Sequence, residues 1–438
     1  MSRLISIWHR IKRTAEGEAR PTTVLIVNPD GMTTSFELAT DDDELDFVRG
    51  IFPLTWRKLS DDESVEGVPE YRIKWKKVKK GETYPENLVR KVDGDLMVAD
   101  KVPETLGGLM AGDTVLMILG GMGDRFAYAL SRSGERMNPP ATVLRTSANI
   151  FRTARDAAEA EKPEAKEETN EAFLVRLYRS RPEAFYLTTV RDRKLIALRE
   201  AFRLRQEALN LRMGCELRLR QLINGFVFCS EEGEYPEGGL DMEFRTKRDS
   251  SEVWKTLHTA EAEANRQLET AVKNFDVYQE FLSKVKGIGP AIASRIIVSV
   301  GDIRRFSHRD KLVAYLGVHV MNGGKHGDRP KDKQFPRRRH GEVANWHPDG
   351  RQALFLLMDQ WNRRPDSVWG ERFLAMKKKL REKHPEVVKD GTRLYFTDMW
   401  VHRTAGWRTV RRFVRELYSA WWALEEKAAG KNQQEKAA

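Results

Sequence analysis

The alternation of apolar and polar positions divides the chain into an early region of short strand-like runs and a later region of long helical stripes. Thr23-Val24-Leu25-Ile26-Val27 is a β-type run that stops at the turn sequence Asn28-Pro29-Asp30-Gly31. Met32 to Leu38 follows directly, so the spacing predicts a hairpin. Asp41-Asp42-Asp43-Glu44 then precedes Leu45, Phe47 and Val48, as acids at a helix N-terminus do. Residues 66–100 form a polar, lysine-rich insertion with strand-like alternation at Tyr71-Arg72-Ile73-Lys74-Trp75. Thr114 to Leu119 reads as a buried strand that runs through Gly120-Gly121-Met122-Gly123-Asp124 into a helical Arg125 to Ser133. Strand, glycine turn and helix in that order make half of a βαβ unit. The glycine spacing is not G-x-G-x-x-G, which favours a plain tight turn over a phosphate cradle. Residues 22–150 therefore predict an α/β domain.

Residues 157–170 are rich in Ala, Glu and Lys and read as a solvated linker or helix. From Glu171 the pattern turns helical, with Leu195, Leu198, Phe202, Leu209, Met213 and Leu217 stepping by three, four or seven. After a Gly/Glu-rich stretch at 231–239 a second stripe runs from Trp254 through Leu268 to Leu282. Two long amphipathic helices joined by a loop make either an antiparallel hairpin or a dimerising coiled coil. Further helices are expected at Ala353 to Trp361, around Trp369 and Phe373, and from Trp407 to Trp422; Glu426 to Ala438 reads as a frayed tail. The expected division is an α/β domain at 1–156, a helical arm at 157–281, a mainly α domain at 282–425 and a disordered tail at 426–438.

Composition sharpens this outline. The 438 residues carry 76 Lys/Arg and 65 Asp/Glu, a net charge of +11, but the charge is uneven. Residues 301–438 hold 30 basic and 17 acidic side chains, a net of +13, together with seven of the nine histidines and seven of the eleven tryptophans. A basic surface with interleaved aromatics suits a nucleic-acid backbone and its bases; the alternative is a solvated surface over a tryptophan-rich core. Two cysteines, Cys215 and Cys229, exclude a disulfide scaffold and fit a reducing cytoplasm. No apolar run approaches the roughly 18 residues of a membrane span, and no signal-peptide core is evident at the N-terminus.

The sharpest local motif is Leu282-Ser-Lys-Val285-Lys-Gly287-Ile288-Gly289-Pro-Ala-Ile-Ala293-Ser-Arg295-Ile296-Ile297, which fits a helix-hairpin-helix. Two glycines allow a tight backbone turn and expose amide N–H groups at the start of the next helix. Such amides can hold a DNA phosphate without reading sequence. Ile288 is expected to pack inward and Arg295 to add charge. Further on, Lys325 and the cluster Arg337, Arg338 and Arg339 are candidate phosphate ligands, with Trp346 a candidate stacking platform.

Gly287-Ile288-Gly289-Pro290, then Val300-Gly301-Asp302-Ile303-Arg304-Arg305-Phe306, then Lys311 to Val318 and His319 to Lys325 together resemble the C-terminal domain of IS110-type insertion-sequence transposases. The resemblance is specific over 282–325 and extends to the N-terminal region in order only. It implies a RuvC-like, ribonuclease-H-type N-terminal domain with four acidic ligands for Mg²⁺ and a serine nucleophile in the C-terminal domain. It also implies DNA and a structured guide RNA as partners; a homodimer or homotetramer is expected. Asn322 stands where the serine is expected. The carboxylates available for the N-terminal site are Asp30, Asp124, Asp156, Glu168 and Glu171, with Asp30 and Asp124 the first choices as metal ligands. The resemblance thus predicts a DNA transposase; the departures predict a catalytically degenerate descendant that binds nucleic acid without cutting it. A helix-hairpin-helix junction-binding repair factor is a third reading.

Overall fold

The first strand lies earlier than the apolar pattern suggests. In the computed structural model, which describes residues 2–10, 20–60, 63–79, 84–92, 95–119, 123–161, 166–231, 233, 237–320, 335–336, 345–390 and 393–437, β1 is Leu4–Trp8. β2 (Thr22–Val27) and β3 (Thr33–Leu38) form the expected hairpin, with Val27 opposite Thr33. α1 (Asp41–Arg49) starts at a capping box between Thr40 and Asp43 and stops at Gly50, whose positive φ of 74° ends the helix.

The lysine-rich insertion is a second, antiparallel sheet. β4 (Phe52–Lys58), β5 (Lys74–Lys77) and β6 (Val89–Val92) all pair with the long β7 (Asp95–Gly107). The alternation at Tyr71–Trp75 is only partly a strand, because Glu70–Arg72 form a 3₁₀ turn. Arg72 instead clamps the buried Asp46 of α1 through two hydrogen bonds of 2.8 and 2.7 Å.

The chain then returns through β8 (Thr114–Leu119), α2 (Gly123–Gly134), β9 (Thr142–Ser147), α3 (Ala148–Glu161), α4 (Asn170–Ser180) and β10 (Tyr186–Leu187). The main sheet has the order β10-β9-β8-β1-β2-β3. β1, β2 and β3 form an antiparallel meander, while β8 and β9 run parallel to β1. Alternate residues face opposite layers, as a period of two requires. Ile5, Ile7, Val115 and Met117 pack with Phe47, Phe126 and Leu130 from α1 and α2. Leu116, Trp8 and Leu25 face Phe151, Phe173 and Leu174 from α3 and α4.

The chain divides into two compact units, Met1–Ile196 and Ala197–Ala438, where three were expected. The expected break at 156 falls inside α3, and α3 and α4 cover one face of the sheet. The first unit is therefore mixed α/β and the second mainly helical.

The second unit holds most of α5 (Val190–Phe228), followed by α6 (Leu240–Ser250) and α7 (Glu252–Val272). Arg205 meets Asn265, Arg212 meets Glu261 and Glu216 meets Trp254, so α5 and α7 run antiparallel within one chain. Beyond the arm come α8 (Asp276–Glu280), α9 (Pro290–Val300), α10 (Arg309–Tyr315), α11 (Pro348–Asn362), α12 (Val368–Lys383), the ribbon β11 (Val388–Asp390) and β12 (Arg393–Tyr395), and α13 (Asp398–Ala437). The expected frayed tail is helical backbone through Ala437. Trp361 and Trp369 stack at 5.1 Å, with Phe413 edge-on to both, so much of the tryptophan excess is core. Among the described residues no helix is long and apolar enough to cross a membrane.

Candidate nucleic-acid interface and the strand-end acids

The helix-hairpin-helix motif folds as its glycines dictate. A 3₁₀ turn at Leu282–Lys284 leads to Val285, whose carbonyl accepts from the Ile288 amide at 3.0 Å. Gly287 has φ +97°, and a Cβ there would lie 2.9 Å from Cβ of Gln360 on α11. The turn is thus pressed against α11 and admits no side chain at 287. Ile288 is buried, as expected. Gly289 is exposed and caps α9 with φ −92°, offering no side chain to the first amides of the helix. Pro290 occupies the first helical position, where a missing N–H costs nothing. The amides of Ala291 and Ile292 follow, at the positive end of a helix dipole. Lys284 and Lys286 flank this turn and are exposed.

Two expected contacts turn inward instead. Arg295 is 9% exposed; it donates to Gln206 Oε1 at 2.8 Å and lies over the Phe202 ring at 5.3 Å. Burial holds its guanidinium below the usual arginine range. It therefore fastens α9 to α5 rather than presenting charge outward. Trp346 lies against Gly317 (φ +68°), where a Cβ would come within 2.6 Å of the indole. Arg351 sits over the same indole at 4.7 Å and over Trp407 at 4.8 Å, so the half-buried Trp346 already packs on this side. Lys325, Arg337, Arg338, Arg339 and Asn322 lie outside the described residues.

Arg351 organises this region, a role that sequence reasoning missed. It donates to the carbonyls of Gly317 at 2.6 Å and Pro336 at 2.5 Å, and burial pulls its pKa down to about 10. The available signal was a lone arginine inside the apolar stripe of α11, between Gly350 and Ala353. Burial likewise holds His347, which accepts from the Gly350 amide at 3.2 Å, below the ordinary imidazole value.

In the first unit the candidate acids are dispersed. Taking Thr23–Val27 as the first strand is corrected by β1, which lies between β2 and β8. Asp30 stands in the β2–β3 turn and accepts from the Met32 amide at 2.9 Å. The register pairs Val27 with Leu4 and Leu4 with Thr114, which puts that turn at the end of the sheet where β8 begins. Asp124 follows the other end of β8. At about 3.3 Å per residue, the five steps from Thr114 to Leu119 span roughly 16 Å. Two ligands of one Mg²⁺ must each approach to about 2.1 Å, so Asp30 and Asp124 do not fit a shared ion.

Asp124 has a different partner. Arg145 on β9 donates to its Oδ1 at 2.8 Å, and both side chains are almost wholly buried. Asp156 lies on the exposed side of α3. Glu168 pairs with Arg176 at 2.8 Å. Glu171, in the first turn of α4, points toward the sheet and accepts from Thr23 at 3.2 Å. Among the described residues no three of His, Cys, Asp and Glu gather as metal ligands would.

A polar network that sequence reasoning also missed sits at the end of β1. Glu44 accepts from Thr22 at 2.6 Å and lies 3.2 Å from His9 Nε2, with Arg10 Nε at 3.5 Å. Burial alone would raise the Glu44 carboxyl, but the bonds from His9 and Thr22 and the nearby charges hold it below the usual carboxylate range. Its members are scattered between residues 9 and 44, so only the sheet brings them together.

Residues 279–329 match the family model described as Transposase IS116/IS110/IS902 family. No curated protein matches the chain. The matched segment covers the hairpin turn, α9 and α10 and none of the main sheet.

Proposed function

We propose that this protein acts on DNA as a transposase of the IS116/IS110/IS902 type, holding duplex phosphates at the glycine turn before α9. The observation that carries the reading is a coincidence: the family match falls on a hairpin whose second helix begins without a side-chain cap. Uncapped amides, the helix dipole and flanking lysines favour an anion without specifying bases. The first unit supports the same reading in outline, since a meander extended by two parallel strands between helix layers is compatible with a ribonuclease-H-type domain. A structured RNA, Mg²⁺ and a homo-oligomer would be the further components of such a system.

A second reading, binding without cleavage, is favoured by one specific observation. Asp30 and Asp124 lie at opposite ends of the sheet, and the latter is held by Arg145. The two readings separate in one experiment with duplex DNA and Mg²⁺. Both expect binding that weakens steeply with salt, and replacing Arg337, Arg338 and Arg339 by alanine should lower the salt slope by about one for each phosphate ligand removed. Strand joining supports the first reading; tight binding with no joining supports the second. Salt-independent binding would remove both.

A further inference from the structure

The helical arm carries a cavity of about 450 Å³ between α5, α6 and α7, well away in sequence from the family match. Its walls include Arg212, Arg248, Trp254, His258, Glu261 and Asn265. We propose that this cavity receives one unstacked nucleotide of a single strand, the base lying on the His258–Trp254 surface and the phosphate meeting Arg248.

The volume is within the roughly 300–1,000 Å³ of pockets that take small molecules. Its surfaces divide by chemistry. Trp254 and His258 stack with ring centroids 4.9 Å apart and planes inclined by 26°, and the imidazole is exposed. Flat aromatic surfaces of this kind accept any base, because every base has a π-face. Arg248 lies over the Trp254 ring at 4.9 Å and pairs with the exposed Asp249 at 2.8 Å, a surface ion pair that a phosphate beside the same ring would replace.

Farther along the same face of α7 the lining is polar and already ordered. Glu261 accepts from Arg212, and that bond, the largest cause, holds the guanidinium above the ordinary arginine range. Arg212 also reaches Glu216 at 3.0 Å, and Glu216 fixes the Trp254 indole N–H at 3.1 Å. Asn265 accepts from Arg205 through its carbonyl oxygen at 3.1 Å, which leaves its NH₂ as a donor. A carboxylate and an amide donor side by side suit the edge of a base.

The site is independent of the hairpin turn, so the two can fail separately. The test titrates the full chain with adenosine monophosphate and with fluorescein-labelled single-stranded deca-adenylate, in ribo and deoxy forms, beside a labelled duplex. The mononucleotide should compete with the single strand and leave duplex binding unchanged. His258→Ala and Arg248→Ala should each weaken single-strand affinity about tenfold, the size expected for removing a stacking or phosphate partner. Trp254→Ala should weaken it at least as much, with circular dichroism checking that the arm stays helical. Arg266→Ala, an exposed arginine of the same helix outside the cavity, should change nothing. No competition by the mononucleotide, or an Arg266→Ala loss equal to that of Arg248→Ala, would overturn the proposal. Preference for the ribo or the deoxy strand identifies which nucleic acid supplies the nucleotide.

Discussion

The head of α2 and the head of α9 are built alike and used differently. In each, a glycine stands at the positive end of a helix, Gly123 as the first residue of α2 and Gly289 as the cap of α9. At α2 the field is answered from within: Asp124 stands in the first turn, Arg145 neutralises it, and His9 packs where a side chain on Gly123 would go. At α9 the cap is an exposed glycine with nothing within 4 Å of a Cβ placed on it. A glycine at the head of a helix is therefore not a phosphate site by itself. What decides is whether the protein has already supplied the anion.

The largest effect should come from unsealing α2. Arg145→Ala strips the partner from a buried carboxylate and should cost about 3–5 kcal/mol in urea denaturation. Replacing Asp124 and Arg145 together by apolar residues should recover most of that loss. If the single change costs as little as a surface substitution, the acid is not held as described. Next in size is a pair at the other helix. Gly287→Ala meets both a positive φ and the Gln360 side chain, and should destabilise by about 1–3 kcal/mol. Gly289→Ala should stay within about 1 kcal/mol of the parent yet lose duplex affinity, because its methyl group would occupy the approach to the amides. A Gly289→Ala protein that binds duplex normally would detach DNA from this turn.

The smallest effect concerns acid. The Glu44 carboxyl is held below its unfolded value near 4.5, so it contributes stability at neutral pH that is lost as pH falls below about 4.5 through the folded value. The urea midpoint of Glu44→Gln should start lower and fall less steeply across that range. Parallel curves for the two proteins would show that the network carries no net coupling.

Much of the local architecture was legible because local chemistry determines it. The acid-led start of α1 and the Asn28–Gly31 turn each follow from adjacent residues. The hairpin turn was legible for the same reason, since Gly287 and Gly289 are two residues apart. What escaped depends on partners far along the chain. Leu4–Trp8 is too short to announce itself, and missing it displaced the expected position of Asp30 from one end of the sheet to the other. Arg295 and Trp346 looked like surface ligands because their charge and ring are visible in sequence. Gln206 and Gly317, which draw them inward, are not adjacent to them. Arg145, reading as one basic residue among 76, showed no sign that it would be among the most buried side chains.

The place of β1 in the sheet has a consequence for how the protein is made. Leu4 pairs with Val27 nearby and with Thr114, about 110 residues later. On the ribosome the meander can form as soon as β3 emerges, but it waits with one edge open until β8 arrives, after the whole antiparallel insertion has been translated. The long separation raises the entropy of closing that parallel pair and slows it relative to the hairpin. During that interval the unpaired edge of β1 and the apolar side chains of Ile5 and Ile7 lack the partners that later cover them, a state prone to aggregation.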